Sequence, residues 1–223
     1  MKLIIFDVDG TLVDSKAHIV AAMEFAFARA GIELPVRDAL LSIVGLSLPE
    51  AMSKLCPQAS PSEIDALVDG YRASYAELRI QMKDAAPFYP YAEDVLEDLS
   101  NRDDVLLGMA TGKSRRGVRH IIEAHQLDRV FVTTQTADTH PSKPHPSMLM
   151  DAMAEAGVEA ADTVMIGDTT YDMEMAGNAG IAGIGVAWGY HSVSALEGVA
   201  ATQTVLKDFR ELIPYLCKTG FLR

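Results

Sequence analysis

Two aspartates follow a short apolar run near the N-terminus, in the segment Asp7-Val8-Asp9-Gly10-Thr11. The apolar run, residues 3–6, is typical of a strand that is buried on both faces. Side chains two residues apart on an extended chain face the same way, and a turn at Gly10 would let both acids line one pocket. One carboxylate could attack phosphorus while the other transfers protons. The segment therefore indicates either a pair of catalytic acids or an acidic turn that caps the next helix.

A second pair of aspartates lies in Gly167-Asp168-Thr169-Thr170-Tyr171-Asp172, after the apolar residues 164–166. Asp168 and Asp172 are four residues apart, so a helical turn would place them on one face. Mg²⁺ prefers hard oxygen ligands, and a divalent cation would relieve the repulsion between closely placed acids. We expect a Mg²⁺ site here, and an acidic helix N-terminus is the alternative interpretation.

Groups that could bind phosphate occur in two further segments. Ala110-Thr111-Gly112-Lys113 follows the apolar residues 105–110, and a threonine hydroxyl with the free N–H groups of a helix start can cradle a phosphate. Lys143 lies in the loop at residues 142–146, which two prolines stiffen. Either segment alone also fits an ordinary loop, so the assignment of the two segments to phosphate binding depends on a fold that brings them together.

The elements that must position these groups alternate along the chain. Strand-like apolar runs lie at residues 3–6, 105–110, 130–133, 163–166 and 181–186, with helical patterns at 114–126 and 146–156 between them. This alternation predicts an α/β fold with right-handed βαβ units, a Rossmann-like three-layer core around a parallel sheet. Ligands bind such sheets beyond the carboxyl ends of the strands. Asp7, Thr111 and Asp168 each follow a strand end, so we expect them at one sheet edge.

Residues 15–87 interrupt this alternation and contain no convincing strand. Helical patterns cover residues 16–30, 36–44, 48–55 and 61–80. Gly31 is placed to end the first helix, and Pro49 and Pro61 suit first turns. We predict a catalytic core of residues 1–14 and 88–223 with an all-helical cap at residues 15–87. Residues 205–222 indicate a short strand and then a helix that begins at Asp208.

Composition limits the classes of partner and compartment. The chain has 223 residues, and its 49% hydrophobic and 22% charged content is ordinary for a globular protein. The net charge of −12 disfavours nucleic-acid binding, and no apolar run approaches the roughly 20 residues that span a bilayer. Cys56 and Cys217 are read as reduced thiols. We expect a cytoplasmic protein that binds neither nucleic acid nor membrane.

Taken in order, these segments resemble the four motifs of the haloacid dehalogenase superfamily, in its phosphatase branch. Residues 7–15, Asp-Val-Asp-Gly-Thr-Leu-Val-Asp-Ser, resemble the first motif. Thr111 in Ala-Thr-Gly-Lys, Lys143 in Lys-Pro-His-Pro, and residues 167–172 resemble the other three. The resemblance spans nearly the whole chain, and the helical insertion is similar to the small cap of phosphoglycolate-phosphatase-like members. It implies a core of the same fold as the superfamily.

This resemblance implies a Mg²⁺-dependent phosphatase that hydrolyses a small-molecule phosphate monoester through an aspartyl-phosphate. Asp7 would be the nucleophile, and Asp9 the general acid and then the general base. Thr111 would bind the phosphoryl oxygens, and Lys143 would neutralise the nucleophile and the transferring group. The implied Mg²⁺ ligands are Asp7, Asp9 through its backbone carbonyl, Asp168, and Asp172 directly or through water.

Specificity would come from the cap, where the resemblance places a glycine-containing loop near the substrate. The expected substrate-binding residues are Gly10, Thr11, Gly112, Gly45 and Arg72, with Arg37, residues 43–47, Tyr71 and Tyr75 as further candidates. The partner would be a small phosphate ester, and the protein a monomer or homodimer. One departure is Tyr91, which stands where relatives usually have glycine, so substrate identity does not transfer directly.

Three other interpretations stay open. A haloacid dehalogenase would lack the second acid, which is present here as Asp9. A phosphomutase or a phosphonate hydrolase shares the motifs. The phosphonate hydrolase would need a Schiff-base lysine in the cap, where Lys54 and Lys83 are the main candidates. A non-catalytic binding or regulatory protein is the third, although it would not need the full set of acids.

Overall fold

Six parallel strands form one sheet in the computed structural model, which describes residues 1–81 and 86–223. The spatial order is β3-β2-β1-β4-β5-β6. The strands are β1 (Lys2–Phe6), β2 (Val105–Thr111), β3 (Thr133–Thr136), β4 (Thr163–Gly167), β5 (Ala182–Val186) and β6 (Thr202–Leu206). The order reverses beside β1, as in doubly wound α/β folds. The predicted fold class is therefore confirmed.

The third strand lies later than predicted. We expected it at residues 130–133, but the strand runs from Thr133 to Thr136, preceded by one hydrogen bond from the Val132 N–H to the Leu107 carbonyl of β2. Val130 and Phe131 instead pack against the apolar core from the preceding loop. Because β3 is the edge strand, it can carry polar side chains, and its Gln135 donates a hydrogen bond to Glu155. Apolar content was thus a poor guide to the strand itself.

The register of the central strands aligns their carboxyl ends. Phe6 of β1 lies opposite Met109 of β2 and Ile166 of β4. The next residue, Asp7, donates its backbone N–H to the Ile166 carbonyl at 2.9 Å. The chains that leave β1, β2 and β4 therefore start from one edge of the sheet.

Among the described residues, four helices stand between β1 and the rest of the sheet. They are α1 (Lys16–Ala30), α2 (Arg37–Ser42), α3 (Leu48–Leu55) and α4 (Pro61–Gln81), and residues 16–81 are called the helical insertion below. Gly31 ends α1 with a φ of 67°, the left-handed conformation expected of a glycine C-cap. The insertion has an apolar cluster of its own, which includes Met23, Phe27 and Leu67.

The two chain segments that connect the helical insertion to the sheet run side by side. Asp14 donates its backbone N–H to the Pro87 carbonyl at 2.8 Å, and Tyr89 donates to the Leu12 carbonyl at 2.9 Å. Tyr91 follows with a φ of 65°, so it keeps the backbone conformation that glycine adopts most easily. The guanidinium of Arg210 lies 4.0 Å from the centre of the Tyr91 ring, a cation–π contact at this connection.

The remaining helices cover both faces of the sheet. They are α5 (Ala92–Ser100), α6 (Arg115–Ala124), α7 (Ser147–Ala156), α8 (Thr170–Asn178), α9 (Val193–Glu197) and α10 (Leu212–Lys218). Ile4 and Phe6 face the cluster formed with α5, α6 and α10, while Leu3 and Ile5 face α7 and α8. This alternation is the period-two pattern of a strand buried on both sides. Each such fully buried side chain contributes roughly 1.5–3 kcal/mol.

Three smaller expectations concern the tail, the cysteines and the membrane. A short 3₁₀ turn, Phe209–Glu211, is capped by the Asp208 carboxylate and leads into α10. Cys56 and Cys217 are free thiols. Among residues 1–81 and 86–223, no helix combines the length and the apolar character that crossing a membrane requires.

Candidate active site

Three carboxylates meet at the sheet edge. Asp7 follows β1, Asp168 follows β4, and Asp172 lies in the first turn of α8. One oxygen of each lies within 4.8 Å of an oxygen of the others, and all three side chains are buried. The convergence of motifs predicted from the strand ends is what the fold produces.

Lys143 lies between two of these acids. Its Nζ is 3.0 Å from Oδ1 of Asp7 and 2.6 Å from Oδ1 of Asp172, and none of the three side chains is exposed. Burial lowers the pKa of Lys143, but the attraction of Asp172 and Asp7 outweighs burial and holds the pKa above its ordinary value. The side chain is therefore an ammonium that offsets part of the negative charge.

The Asp168 carboxylate is oriented by hydrogen bonds to both of its oxygens. The hydroxyl of Thr11 donates to Oδ1 at 2.9 Å, and the backbone N–H of Tyr190 donates to Oδ2 at 2.8 Å. A Cβ at Gly10, whose φ is 87°, would stand 2.3 Å from Oδ2. Gly10 and Thr11, predicted as substrate-binding residues, thus contact Asp168, and neither lines the cavity described below.

Asp172 belongs both to a helix cap and to the buried acidic cluster. Its Oδ2 accepts hydrogen bonds from the backbone N–H of Thr169 at 3.0 Å and from the Thr169 hydroxyl at 2.7 Å. With the return bond from the Asp172 N–H to the Thr169 hydroxyl, this is a capping box at the start of α8. The same carboxylate also belongs to the buried acidic cluster.

The Asp7 carboxylate is the least satisfied member of the cluster. Neither of its oxygens has a hydrogen-bond donor in suitable geometry among the described residues, although the Lys143 ammonium is close. Burial, opposed by Lys143 and reinforced by the charges of Asp172 and Asp9, raises the pKa of Asp7 to about 7. Burial and the charges of Asp172 and Asp7 likewise raise the pKa of Asp168. Three crowded carboxylates with free oxygen lone pairs fit a divalent cation such as Mg²⁺.

A cavity of about 510 Å³ opens above the acids, between the sheet edge and the helical insertion. Asp7, Asp9, Thr111 and Gly112 line it from the sheet side, and Gly45 and Arg72 line it from the insertion. The Arg72 side chain is 58% exposed, with Asp69 at 3.8 Å, so it lies at the mouth. Arg37 is exposed and does not line the cavity.

The helical insertion touches the sheet edge directly at Gly112. A Cβ at Gly112 would lie 2.5 Å from the carbonyl oxygen of Gly45 and 2.6 Å from that of Leu46. Gly45 itself has a φ of 99°, a backbone conformation that favours glycine. Two glycines therefore allow the two backbones to approach each other at the edge of the cavity.

Lys113 is a site residue that the sequence interpretation did not select. Its Nζ lies 2.9 Å from Oδ2 of Asp9 and donates to the Tyr75 hydroxyl of α4 at 3.2 Å. Only 9% of the Lys113 side chain is exposed, and Oδ1 of Asp9 is buried without a hydrogen-bond partner. Its position directly after Thr111-Gly112 was the available signal. The contact with Tyr75 depends on packing and could not be inferred from spacing.

Other polar contacts hold the helical insertion against the sheet. Lys54 of α3 donates to the Tyr171 hydroxyl of α8 at 2.6 Å, and that hydroxyl donates to the Ser42 carbonyl at 3.1 Å. His191 accepts from the Thr170 N–H through Nδ1, so its Nε2 carries the proton and donates to Ser42 at 3.1 Å. Lys83, the other candidate Schiff-base lysine, lies outside the described residues.

Comparison with known proteins agrees with this geometry. The family described as haloacid dehalogenase-like hydrolase matches residues 4–186. A protein named Probable phosphatase IndB, from Dickeya dadantii (strain 3937), is 36% identical over 215 residues, which cover 95% of this chain and 91% of that protein. A phosphoglycolate phosphatase from Agrobacterium fabrum (strain C58 / ATCC 33970) is 29% identical, covering 96% of this chain and 91% of that one.

A solved structure shares the fold over almost the same span. The crystal structure of a hydrolase from Pseudomonas syringae superposes with a TM-score of 0.86 and 24% sequence identity. The superposition covers 98% of this chain and 99% of the other.

The crowded acids predict that the stability of the cation-free protein falls as the pH rises. Asp7 has an ordinary pKa of 3.8 and a folded pKa of about 7, so the folded state binds more protons between these values. The proton on Asp7 therefore contributes to the free energy of unfolding. This contribution is complete below about pH 4 and has disappeared by about pH 7. In EDTA, we expect a lower Tm at pH 8 than at pH 5. Each kcal/mol lost from the free energy of unfolding should lower the Tm by roughly 2–4 °C.

Two comparisons isolate this effect from the other titrating groups. Added MgCl₂ should raise the Tm more at pH 8 than at pH 5, because a cation stabilises the ionised acids. The Asp7→Asn variant should show a smaller fall in Tm between the two pH values in EDTA. An equal fall in the wild type and in the variant, measured by thermal denaturation, would contradict the assignment to Asp7.

Proposed function

We propose a reaction from the premise that this chain belongs to the haloacid dehalogenase-like hydrolase family and is a phosphatase. In this reaction the protein hydrolyses a small-molecule phosphate monoester through an aspartyl-phosphate on Asp7. One observation carries the proposal. Asp7 lines the floor of the cavity beside the Lys143 ammonium, 3.0 Å from its Oδ1, and neither of its buried oxygens has a hydrogen bond of suitable geometry among the described residues. A carboxylate in that position can reach a bound phosphoryl group and has lone pairs free to attack it.

Two displacements at phosphorus would complete the reaction. In the first, an Asp7 oxygen forms a bond to phosphorus, the bond to the ester oxygen breaks, and Asp9 gives that oxygen a proton. In the second, a water oxygen attacks phosphorus, Asp9 takes a proton from it, and the bond to Asp7 breaks. Phosphate and the alcohol are released, and both aspartates return to their starting states.

The other residues of the sheet edge would hold the phosphoryl group and its charge. Thr111 and Gly112 line the cavity, and the Thr111 hydroxyl and the Gly112 N–H would bind phosphoryl oxygens. Lys143 stays charged because of its two acidic neighbours, so it offers preorganised positive charge as the nucleophile reacts.

Mg²⁺ is the cofactor that we propose for the acidic cluster. Asp7, Asp168 and Asp172 would hold it, with the Asp9 carbonyl as a further ligand and Asp172 binding directly or through water. When bound, the ion would neutralise charge on the phosphoryl oxygens. The observation that supports it is the set of three buried carboxylates opposed by a single buried lysine.

We propose that residues 15–87 act as a cap over a core of residues 1–14 and 88–223. The close approach of Gly45 to Gly112, and the Lys54–Tyr171 and Lys113–Tyr75 contacts, support a closed position over Asp7. Closure would exclude bulk water from the site. Lys54, the phosphonate-hydrolase candidate, donates to Tyr171 and does not line the cavity, which favours the phosphatase over that alternative.

The nucleophile can be tested with para-nitrophenyl phosphate. Asp7→Asn should lower kcat by at least about a thousandfold, since catalysis by a missing nucleophile falls to the level that binding alone provides. EDTA should abolish turnover and MgCl₂ should restore it. Asp162→Asn is the matched control, because Asp162 pairs with Lys2 on the surface away from the cavity. Full activity of Asp7→Asn would sink the proposal.

The role of Asp9 can be tested through Lys113, with Lys54 as a matched lysine. Both lysines donate to a tyrosine across the boundary between insertion and sheet, at 3.2 Å and 2.6 Å, but only Lys113 also contacts Asp9. Lys113→Met should lower kcat by about tenfold, less than the 10²–10⁴-fold that acid–base catalysis contributes, because Asp9 itself stays in place.

Lys54→Met should change kcat much less, because it weakens the contact between insertion and sheet without freeing Asp9. Steady-state rates of the two purified variants, with Tm measured beside them, give the comparison. Equal losses of kcat in both variants would show that Lys113 acts through closure alone and that its contact with Asp9 has no catalytic weight.

A further inference from the structure

The wall of the cavity above the catalytic acids is apolar. Where the helical insertion faces the cavity, side chains from α1 and from residues 43–51 are mostly aliphatic. Six of them are Ile19, Met23, Ile43, Val44, Leu46 and Leu48. Apolar walls with a few convergent polar groups are the usual composition of a site for an organic ligand. This part of the cavity lies beyond the phosphate-binding floor, where the alcohol part of an ester would extend.

Two tyrosines complete this wall. The rings of Tyr71 and Tyr75 on α4 are stacked, with their centres 5.7 Å apart, and both residues line the cavity. Burial and the nearby Tyr75 raise the pKa of Tyr71, so its hydroxyl stays neutral. Stacked rings offer faces and edges to an apolar or aromatic group rather than a charge to an anion.

The cations that line the cavity are either already paired or at its mouth. Lys113 is held by Asp9 at 2.9 Å and by the Tyr75 hydroxyl at 3.2 Å. Arg72 is 58% exposed, and Arg116 is also exposed. The described inner wall therefore offers no unpaired ammonium or guanidinium close to the floor, where the carboxylate of a two-carbon acid ester would lie.

The size of the cavity also exceeds what such a short ester needs. Its volume of about 510 Å³ lies within the range of roughly 300–1,000 Å³ typical of sites for drug-sized ligands. A ligand that filled only the floor would leave the aliphatic wall in contact with water, and burying that wall against an apolar group is favourable.

We propose that the leaving alcohol of the substrate carries an apolar or aromatic body that fills this part of the cavity. The inference rests on the proposed phosphatase function and names the class of ester that the enzyme prefers. This preference distinguishes the enzyme from a phosphatase that is specific for the phosphate ester of a two-carbon hydroxy acid. The recognition is hydrophobic, with the Tyr71 and Tyr75 rings and the Leu48 side chain as the contacts that select the body.

Three alkyl phosphates of similar leaving-group chemistry test the proposal. Ethyl phosphate, 2-phenylethyl phosphate and 2-phosphoglycolate have the same ester linkage and differ in what the alcohol carries. Phosphate release by the wild-type protein with MgCl₂ gives kcat and KM for each. We expect kcat/KM for 2-phenylethyl phosphate to exceed that for either of the others by about tenfold or more, the discrimination that a few apolar carbons give.

A matched pair of leucines on α3 ties the preference to this wall. Leu48 and Leu55 lie at opposite ends of the same helix and are both partly buried, but only Leu48 lines the cavity. Leu48→Ala should raise KM for 2-phenylethyl phosphate by roughly tenfold. Its KM for ethyl phosphate should rise clearly less, because ethyl phosphate carries no large body to pack against Leu48. Leu55→Ala should leave the ratio of the two KM values unchanged.

The possible outcomes distinguish a failure of the proposed substrate preference from a failure of the proposed phosphatase function. Turnover of 2-phosphoglycolate equal to or faster than that of 2-phenylethyl phosphate would overturn the inference and leave the phosphatase function standing. Equal KM changes in the two leucine variants would overturn the assignment to this wall. Absence of cation-dependent phosphate release from all three esters and from para-nitrophenyl phosphate would overturn the proposed function itself.

Discussion

The repulsion among three buried carboxylates is the constraint on which the rest of this site depends. Asp7, Asp168 and Asp172 approach within 4.8 Å, where ionised acids in a low-dielectric interior repel strongly. Among the described residues, Lys143 is the ammonium that contacts this cluster, so three ionised acids would leave an excess of two negative charges. A divalent cation matches that excess. A protein with no use for the cluster would be more stable if some of these positions were neutral, since an uncompensated buried charge is costly.

The local structure around the acids follows from holding them in place. Asp168 is fixed through Thr11 and the Tyr190 backbone, and Asp172 through the capping box of α8. Glycine is required where the backbone passes Asp168, because a Cβ at Gly10 or at Gly189 would stand 2.3 Å or 2.2 Å from that side chain. Asp7 is different, since among the described residues its oxygens accept no hydrogen bond of suitable geometry and have only the Lys143 ammonium close by. The cluster thus has two acids that are oriented by hydrogen bonds and one, Asp7, that is not, as the proposed nucleophile requires.

Much of the site could be predicted from the sequence because parallel strands end at one edge. An acid directly after an apolar run has its position set by that strand, so Asp7, Thr111 and Asp168 could be placed together without any long-range information. The same reasoning failed for β3, whose residues Thr133–Thr136 are polar because an edge strand need not be apolar on both faces. Helix α5 buries Ala92, Val95, Leu96 and Leu99 on one face, a helical spacing that is visible in the sequence.

Contacts across the helical insertion were beyond the reach of sequence spacing. Tyr75 and Lys113 are 38 residues apart and meet only because α4 packs over the sheet edge. The position of Thr11 is a similar case: its place in the motif suggested substrate binding, while its hydroxyl is occupied by Asp168. The local sequence pattern identifies the strand or helix that a residue follows, whereas tertiary packing determines which groups its side chain contacts.

In the proposed function, the contact between Lys113 and Tyr75 would link the acids of the sheet edge to the apolar wall of the cavity. The sheet edge holds the acids, and the helical insertion contributes most of the apolar cavity wall. Lys113 contacts Asp9 on one side and Tyr75 on the other, so a shift of α4 would alter the surroundings of Asp9. A substrate body that packed against Tyr75 would favour the position of α4 in which Lys113 is also held. Under the proposed roles, recognition of the alcohol and protonation of its oxygen would then be coupled through the Lys113 ammonium, with no change needed at the acidic cluster.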